Sequence, residues 1–112
     1  MAKIGVIGAG SWGIALSVLL SNNGHSVKVW SIIEEEIKML NEHHEHKDKL
    51  PGVILSDRIT FTTNLQEAIE GMDLLVMAVP SPFVRKTASD MKAFVSEGQI
   101  IVNVAKGIEE TT

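Results

Sequence analysis

Two rhythms alternate along this chain, strand-length apolar runs and longer stretches with apolar residues at helical spacing. Lys3 to Ile7 reads as a first strand. Ser11 to Asn23 reads as a helix with Trp12, Leu16, Leu19 and Leu20 on one face and Gly24 as its stop. Ser26 to Trp30 is a second strand. A second helix runs from about Glu34 to His44, where Ile33, Ile37 and Leu40 recur at helical spacing and three glutamates suit its positive end. Residues 45 to 58 read as a loop broken at Leu50-Pro51-Gly52, and Ile59 to Thr62 as a short third strand near a sheet edge. Asn64 is placed to cap a short helix, with Glu67 reaching back in a capping box and Gly71 ending it. Asp73 to Val79 is almost continuously apolar, as in a strand covered on both faces. Ser81-Pro82 then predicts a cap and a proline at the first helical position, a buried stripe of Val84, Ala88, Met91 and Val95, and a stop at Gly98. Gln99 to Val104 is a fifth strand, again nearly all apolar.

Strict alternation of strand and helix with short turns predicts an α/β fold, an open, doubly wound parallel sheet in the order 3-2-1-4-5. A chain of 112 residues supports one such domain, and 45% apolar with 21% charged residues is ordinary globular usage. The net charge of −4 and the scattered lysines and arginines argue against nucleic acid as a partner. The absence of cysteine excludes disulfides and thiolate chemistry and fits a reducing cytoplasm. The apolar runs are too short for a membrane span, and no leader pattern opens the chain.

The sharpest chemical signal is Gly8-x-Gly10-x-x-Gly13, which closes the first strand and opens the first helix. Gly8 allows a tight bend, Gly10 lets backbone approach a pyrophosphate, and Gly13 lets helix and strand pack closely. The helix start adds unpaired N–H groups and partial positive charge for an anion. This is the pattern of a Rossmann-type dinucleotide site. Within it Ser11 and Trp12 are candidate phosphate-side contacts, although Trp12 equally suits a core anchor. The acidic residue expected about 20 positions on for NAD, or the arginine for NADP, is missing at the end of strand two. Trp30-Ser31-Ile32-Ile33 stands there instead, with Ser31 able to hydrogen-bond a ribose, Ile32 able to pack on adenine, and Glu34 to Glu36 reading as a solvated first turn. The choice between NAD and NADP stays open.

At the mouth of strand four, Val79-Pro80-Ser81-Pro82 puts a rigid turn beside the expected nicotinamide path, with Pro80 a candidate contact. Lys106, just past strand five, suits an anionic ligand or simply a solvated position. His43, His44 and His46 with Glu42 and Glu45 lack a complete metal-ligand set and read as a solvated helix end, and His25 reads as a turn residue.

Ile4-Gly-Val-Ile-Gly-Ala-Gly-Ser-Trp-Gly13, Asn22-Asn-Gly-His25, Leu50-Pro-Gly52, Ala78-Val-Pro-Ser81 and Val102-Asn-Val-Ala-Lys-Gly-Ile-Glu109 together resemble bacterial NAD(P)-dependent glycerol-3-phosphate dehydrogenases along the whole chain. The resemblance implies hydride transfer between sn-glycerol 3-phosphate and a nicotinamide, with dihydroxyacetone phosphate as the other partner, for glycerophospholipid synthesis. It also implies that Ser11 and Trp12 contact the cofactor and that Lys106 touches cofactor and substrate. Ile32 stands where the family commonly has arginine or histidine, and Ile14 where threonine is usual. The resemblance further implies a longer parent, a cytoplasmic homodimer whose helical C-terminal domain supplies the catalytic lysine. Residues 1–112 are then its NAD(P)-binding domain, with no catalytic residue of their own and negligible turnover alone. A free-standing nucleotide-binding module and the cofactor domain of another dehydrogenase of this superfamily are the competing expectations.

Overall fold

The computed structural model describes residues 2–45, 52, 54–79 and 81–103, and in the order of the chain it forms β1 (Lys3–Ile7), α1 (Ser11–Asn22), β2 (Ser26–Trp30), α2 (Glu34–His43), β3 (Ile59–Thr62), α3 (Leu65–Ile69), β4 (Leu74–Met77), α4 (Ser81–Met91) and β5 (Ile100–Asn103). All four strand pairings are parallel, and the sheet order is β3-β2-β1-β4-β5, as the alternation predicts. Side chains alternate across the sheet with the period of two that a strand imposes. Ile4, Val6, Val27, Val29 and Val76 pack on one face with Ile14 of α1 and Ile37 and Leu40 of α2. Ile7, Trp30, Leu75 and Met77 pack on the other with Ala68 and Ile69 of α3 and Met91 of α4. Gly5 sits between them on β1 because a methyl there would run into the Ala68 carbonyl oxygen.

The face that α1 buries is not centred on the stripe of Trp12, Leu16, Leu19 and Leu20. Ile14, Ser17 and Ser21 are buried together with Gly13, whereas Trp12 and Leu19 are 49% and 58% exposed and Leu16 and Leu20 only partly covered. Around Ile14 the buried positions are small, Gly13, Ser17 and Ser21, so the helix axis can approach the sheet closely. The Ser17 hydroxyl donates to the Gly13 carbonyl at 2.8 Å, which removes most of the cost of burying it. The end of α1 follows expectation in detail. Gly24 takes φ +91°, His25 N–H donates to the Leu20 carbonyl and Gly24 N–H to that of Ser21, the paired bonds of a Schellman turn. His25 does more than turn the chain, since its Nδ1 accepts the Ala2 N–H at 3.0 Å and ties down the entry to β1.

Other local expectations shift in instructive ways. Ile33 is the N-cap residue of α2 and half exposed, so the buried stripe of that helix is Ile37 and Leu40. Asn64 caps α3 by accepting the Glu67 N–H, but the return half of the capping box is rerouted. The Asn64 N–H donates to Thr62 Oγ1 at 2.9 Å, and the Thr62 hydroxyl donates to Glu67 Oε2 at 2.8 Å. The helix α4 ends at Met91, well before Gly98; beyond it the Phe94 and Val95 N–H groups share the Met91 carbonyl in a last tightened turn, and both side chains pack onto the core. Ser81 is the first helical residue and not the cap. The greatest departure is β5, where Ile100, Ile101 and Val102 are 62%, 49% and 42% exposed although the run is as apolar as β4. Its single paired edge lies against β4, and among the described residues no helix packs over it.

Candidate functional site

The C-terminal ends of β1, β2 and β4 meet at the glycine turn. Ile7, Trp30 and Met77 are level in the ladder, and the next backbone groups lock the turn: Gly8 N–H donates to the Trp30 carbonyl at 2.9 Å and Ala78 N–H to that of Ile7 at 2.8 Å. Gly8 takes φ +129°, which side-chain-bearing residues rarely adopt, and a Cβ on it would lie 2.7 to 2.9 Å from the Ala78–Val79 peptide. A Cβ on Gly13 would run into the Gly8 carbonyl oxygen. Both glycines are therefore demanded by the packing of turn, strand and helix.

Gly10 is different. It is the N-cap of α1 with φ −73° and ψ −178°, a conformation open to any residue, and a Cβ there would meet nothing within 4 Å. Among the described residues no contact requires it to be small. The Ile14 N–H to Gly10 carbonyl bond, 3.0 Å, is the first rung of the helix, so the N–H groups of residues 11 to 13 precede the ladder. Gly10 offers no side-chain cap, and the first turn of α1 carries no carboxylate to oppose an anion. The result is a cleared, electropositive helix start at the edge of a parallel sheet, which fits a pyrophosphate.

Trp12 lies in this first turn and is half exposed, so it anchors no core. The buried tryptophan is Trp30, whose Nε1 donates to the Thr63 carbonyl at 3.0 Å and ties β2 to the turn after β3. Ser31, directly after β2, is buried, and its hydroxyl donates to Glu36 Oε1 at 2.7 Å while accepting the Ile33 N–H at 3.1 Å. Glu36 is thus folded back against the strand end and is not part of a freely solvated turn. Ile32 is 70% exposed. With Ile33, Glu34, Glu35 and Thr63 it lines an open cleft of about 650 Å³ where β2 and β3 end.

The structure brings Gly8, Gly10, Trp12 and Gly13 together, and it sets Ser31 and Ile32 at the neighbouring strand end. Pro80, Lys106 and the Ser11 hydroxyl lie outside the described residues, as do His46 and Leu50-Pro51. The register Ile7–Met77–Asn103 brings the end of β5 level with the end of β1. Sequence reasoning missed the link between Ser31 and Glu36, for which a serine before a run of glutamates at a helix start is the only signal. It also missed Gln99, whose amide donates to the Ile69 and Met72 carbonyls at 2.6 and 2.9 Å and joins the α3 exit to the start of β5.

Residues 3–112 match the family described as NAD-dependent glycerol-3-phosphate dehydrogenase N-terminus. The chain is 66% identical over all 112 residues to a glycerol-3-phosphate dehydrogenase [NAD(P)+] of Agathobacter rectalis, and 47% identical over 112 residues to one of Fusobacterium nucleatum. It spans 33% of the length of each of these relatives. Among solved structures, the glycerol-3-phosphate dehydrogenase of Coxiella burnetii superposes with a TM-score of 0.88 at 24% identity, over 91% of this chain and 31% of that one. That likeness speaks to the fold.

Proposed function

The chain belongs to the N-terminal family of NAD-dependent glycerol-3-phosphate dehydrogenases, and on that footing we propose that it is the NAD(P)-binding part of an oxidoreductase that interconverts sn-glycerol 3-phosphate and dihydroxyacetone phosphate. A cytoplasmic homodimer serving glycerophospholipid synthesis goes with this reading. Among the described residues no helix is long and apolar enough to cross a membrane.

The observation that carries the proposal is the contrast among the three glycines. Two are forced by packing, while the third leaves empty space over a helix start, as a ligand's approach would require. On this reading the N–H groups of Gly10 to Gly13 hold the pyrophosphate, Trp12 flanks it, and Ser31 and Ile32 border the adenosine. Lys106 would serve the nicotinamide side and the substrate phosphate, where a cation is chemically apt. The nicotinamide supplies or accepts the hydride when bound, and the chain's own part is to hold and orient it. Calorimetric titration with NADH tests the binding half, with saturable one-to-one binding as the expected result. For the substrate half, the protein together with its family's remaining two-thirds should oxidise glycerol 3-phosphate with a nicotinamide cofactor. Binding of NADH without any such turnover would overturn the substrate assignment while leaving the cofactor site intact.

A further inference from the structure

At the end of α1 away from the glycine turn stands Asn22-Asn23-Gly24, and Asn23 is the one asparagine of five that a glycine follows. Glycine has no side chain to shield its own nitrogen, so that nitrogen can attack the carboxamide before it. Asn23 is exposed, and among the described residues nothing hydrogen-bonds its carboxamide. The folded turn nevertheless holds the two groups apart. Asn23 has φ −86° and ψ 8°, so the Gly24 nitrogen eclipses the Asn23 nitrogen and stands away from the side chain. The Gly24 N–H also donates to the Ser21 carbonyl at 3.0 Å, and the His25 N–H to that of Leu20 at 3.2 Å, which fixes the turn. Ring closure therefore needs the last turn of α1 to open, and fraying ends are where a native chain opens most readily.

From this we infer that Asn23 is a modification site, deamidated through a cyclic imide at a rate set by opening of the end of α1. The Gly24 nitrogen gives its proton to solvent and bonds to Asn23 Cγ, and the carboxamide nitrogen leaves as ammonia. Water then opens the imide at either carbonyl, giving aspartate or, with Cβ drawn into the main chain, isoaspartate. The balance is amide plus water to acid plus ammonia. Either product puts a carboxylate at the negative end of α1, whose last turn carries no basic residue. Isoaspartate also lengthens the main chain, which draws the His25 N–H off the Leu20 carbonyl and disturbs the ring whose Nδ1 holds the Ala2 N–H.

The test is peptide mapping by mass spectrometry after incubation in mildly alkaline buffer, with and without denaturing urea. The tryptic peptide Ile4–Lys28 should gain the mass of an amide turned acid, at Asn23 and before any other asparagine of the chain reacts. The folded protein should convert at least about tenfold more slowly than the unfolded one, because only its opened fraction is reactive. Asn23→Gln keeps a carboxamide there on a side chain too long for the five-membered ring. It should stay unmodified and hold its melting temperature through the incubation in buffer, whereas the aged wild-type protein should melt lower. Asn23→Asp adds the charge without lengthening the main chain, and it should melt between the fresh wild-type protein and the purified isoaspartyl form. Another asparagine converting first in the folded protein, equal rates in buffer and in urea, or an isoaspartyl protein that melts like the fresh one overturns the inference.

Discussion

Replacing the three glycines of the turn one at a time by alanine separates what the fold needs from what a ligand needs. At Gly8 the added methyl meets the Ala78–Val79 peptide at 2.7 to 2.9 Å, where ordinary contact begins near 3.4 Å, and the backbone φ of +129° is itself strained for alanine. Strain of about 1–3 kcal/mol and overpacking of about 1–3 kcal/mol sum to a loss of about 4 kcal/mol, a large share of a domain's stability. At Gly13 the backbone is helical and alanine regains up to about 1 kcal/mol of helix propensity, so the clash with the Gly8 carbonyl leaves a net loss of about 1–2 kcal/mol. At Gly10 no atom of the described residues lies in the way, and a weaker N-cap is offset by a stiffer unfolded chain, each about 0.5–1 kcal/mol. Circular-dichroism melts without ligand should therefore rank the variants Gly8→Ala below Gly13→Ala, and Gly13→Ala about 5–15 °C below wild type, with Gly10→Ala within about 3 °C of it. Calorimetry should then show Gly10→Ala losing NADH affinity at least about tenfold, because its methyl fills the space the pyrophosphate needs. A Gly10→Ala protein that melts as low as Gly13→Ala, or that binds NADH as wild type does, refutes the reasoning.

Thr62→Val should cost about 1–2 kcal/mol in urea denaturation, because it removes both the bond to Glu67 and the acceptor for the Asn64 N–H. Gln99→Glu should cost about 2–3 kcal/mol at neutral pH, since a carboxylate would face the Ile69 and Met72 carbonyls that the amide now serves, while Gln99→Asp in place of it should be no better. On α1, Ser17→Leu should destabilise by about 1–3 kcal/mol by forcing the helix off the sheet, whereas Leu19→Lys should change stability by less than about 0.5 kcal/mol. The opposite ranking of those two would mean that α1 buries its leucine-rich face after all.

Strand number, order and direction were readable because apolar runs, glycine stops and the β–α alternation all point to one sheet, and each run is long enough to bury. Which face of α1 packs was not readable, because Ile14 is the one large apolar side chain at its centre and Gly13, Ser17 and Ser21 beside it are small or polar. Burial there follows from closeness and from a hydroxyl bonded within its own helix, not from hydrophobicity. The exposure of β5 was equally invisible, since Ile100-Ile-Val102 reads the same whether or not anything covers it. Of the site, the glycine turn was legible because its spacing encodes backbone geometry. Its division into two structural glycines and one permissive one needed coordinates, as did the Ser31–Glu36 bond, which depends on how α2 folds back against β2.

The most direct test of the central claim is a backbone-amide NMR titration with NADH. A pyrophosphate held at the start of α1 predicts that the largest, saturable shifts fall on Gly10, Ser11, Trp12 and Gly13, with smaller ones at Ile32 and Ile33 and little change along β3. Shifts concentrated elsewhere, for example on the exposed β5 edge, or no shift at millimolar NADH, would contradict it.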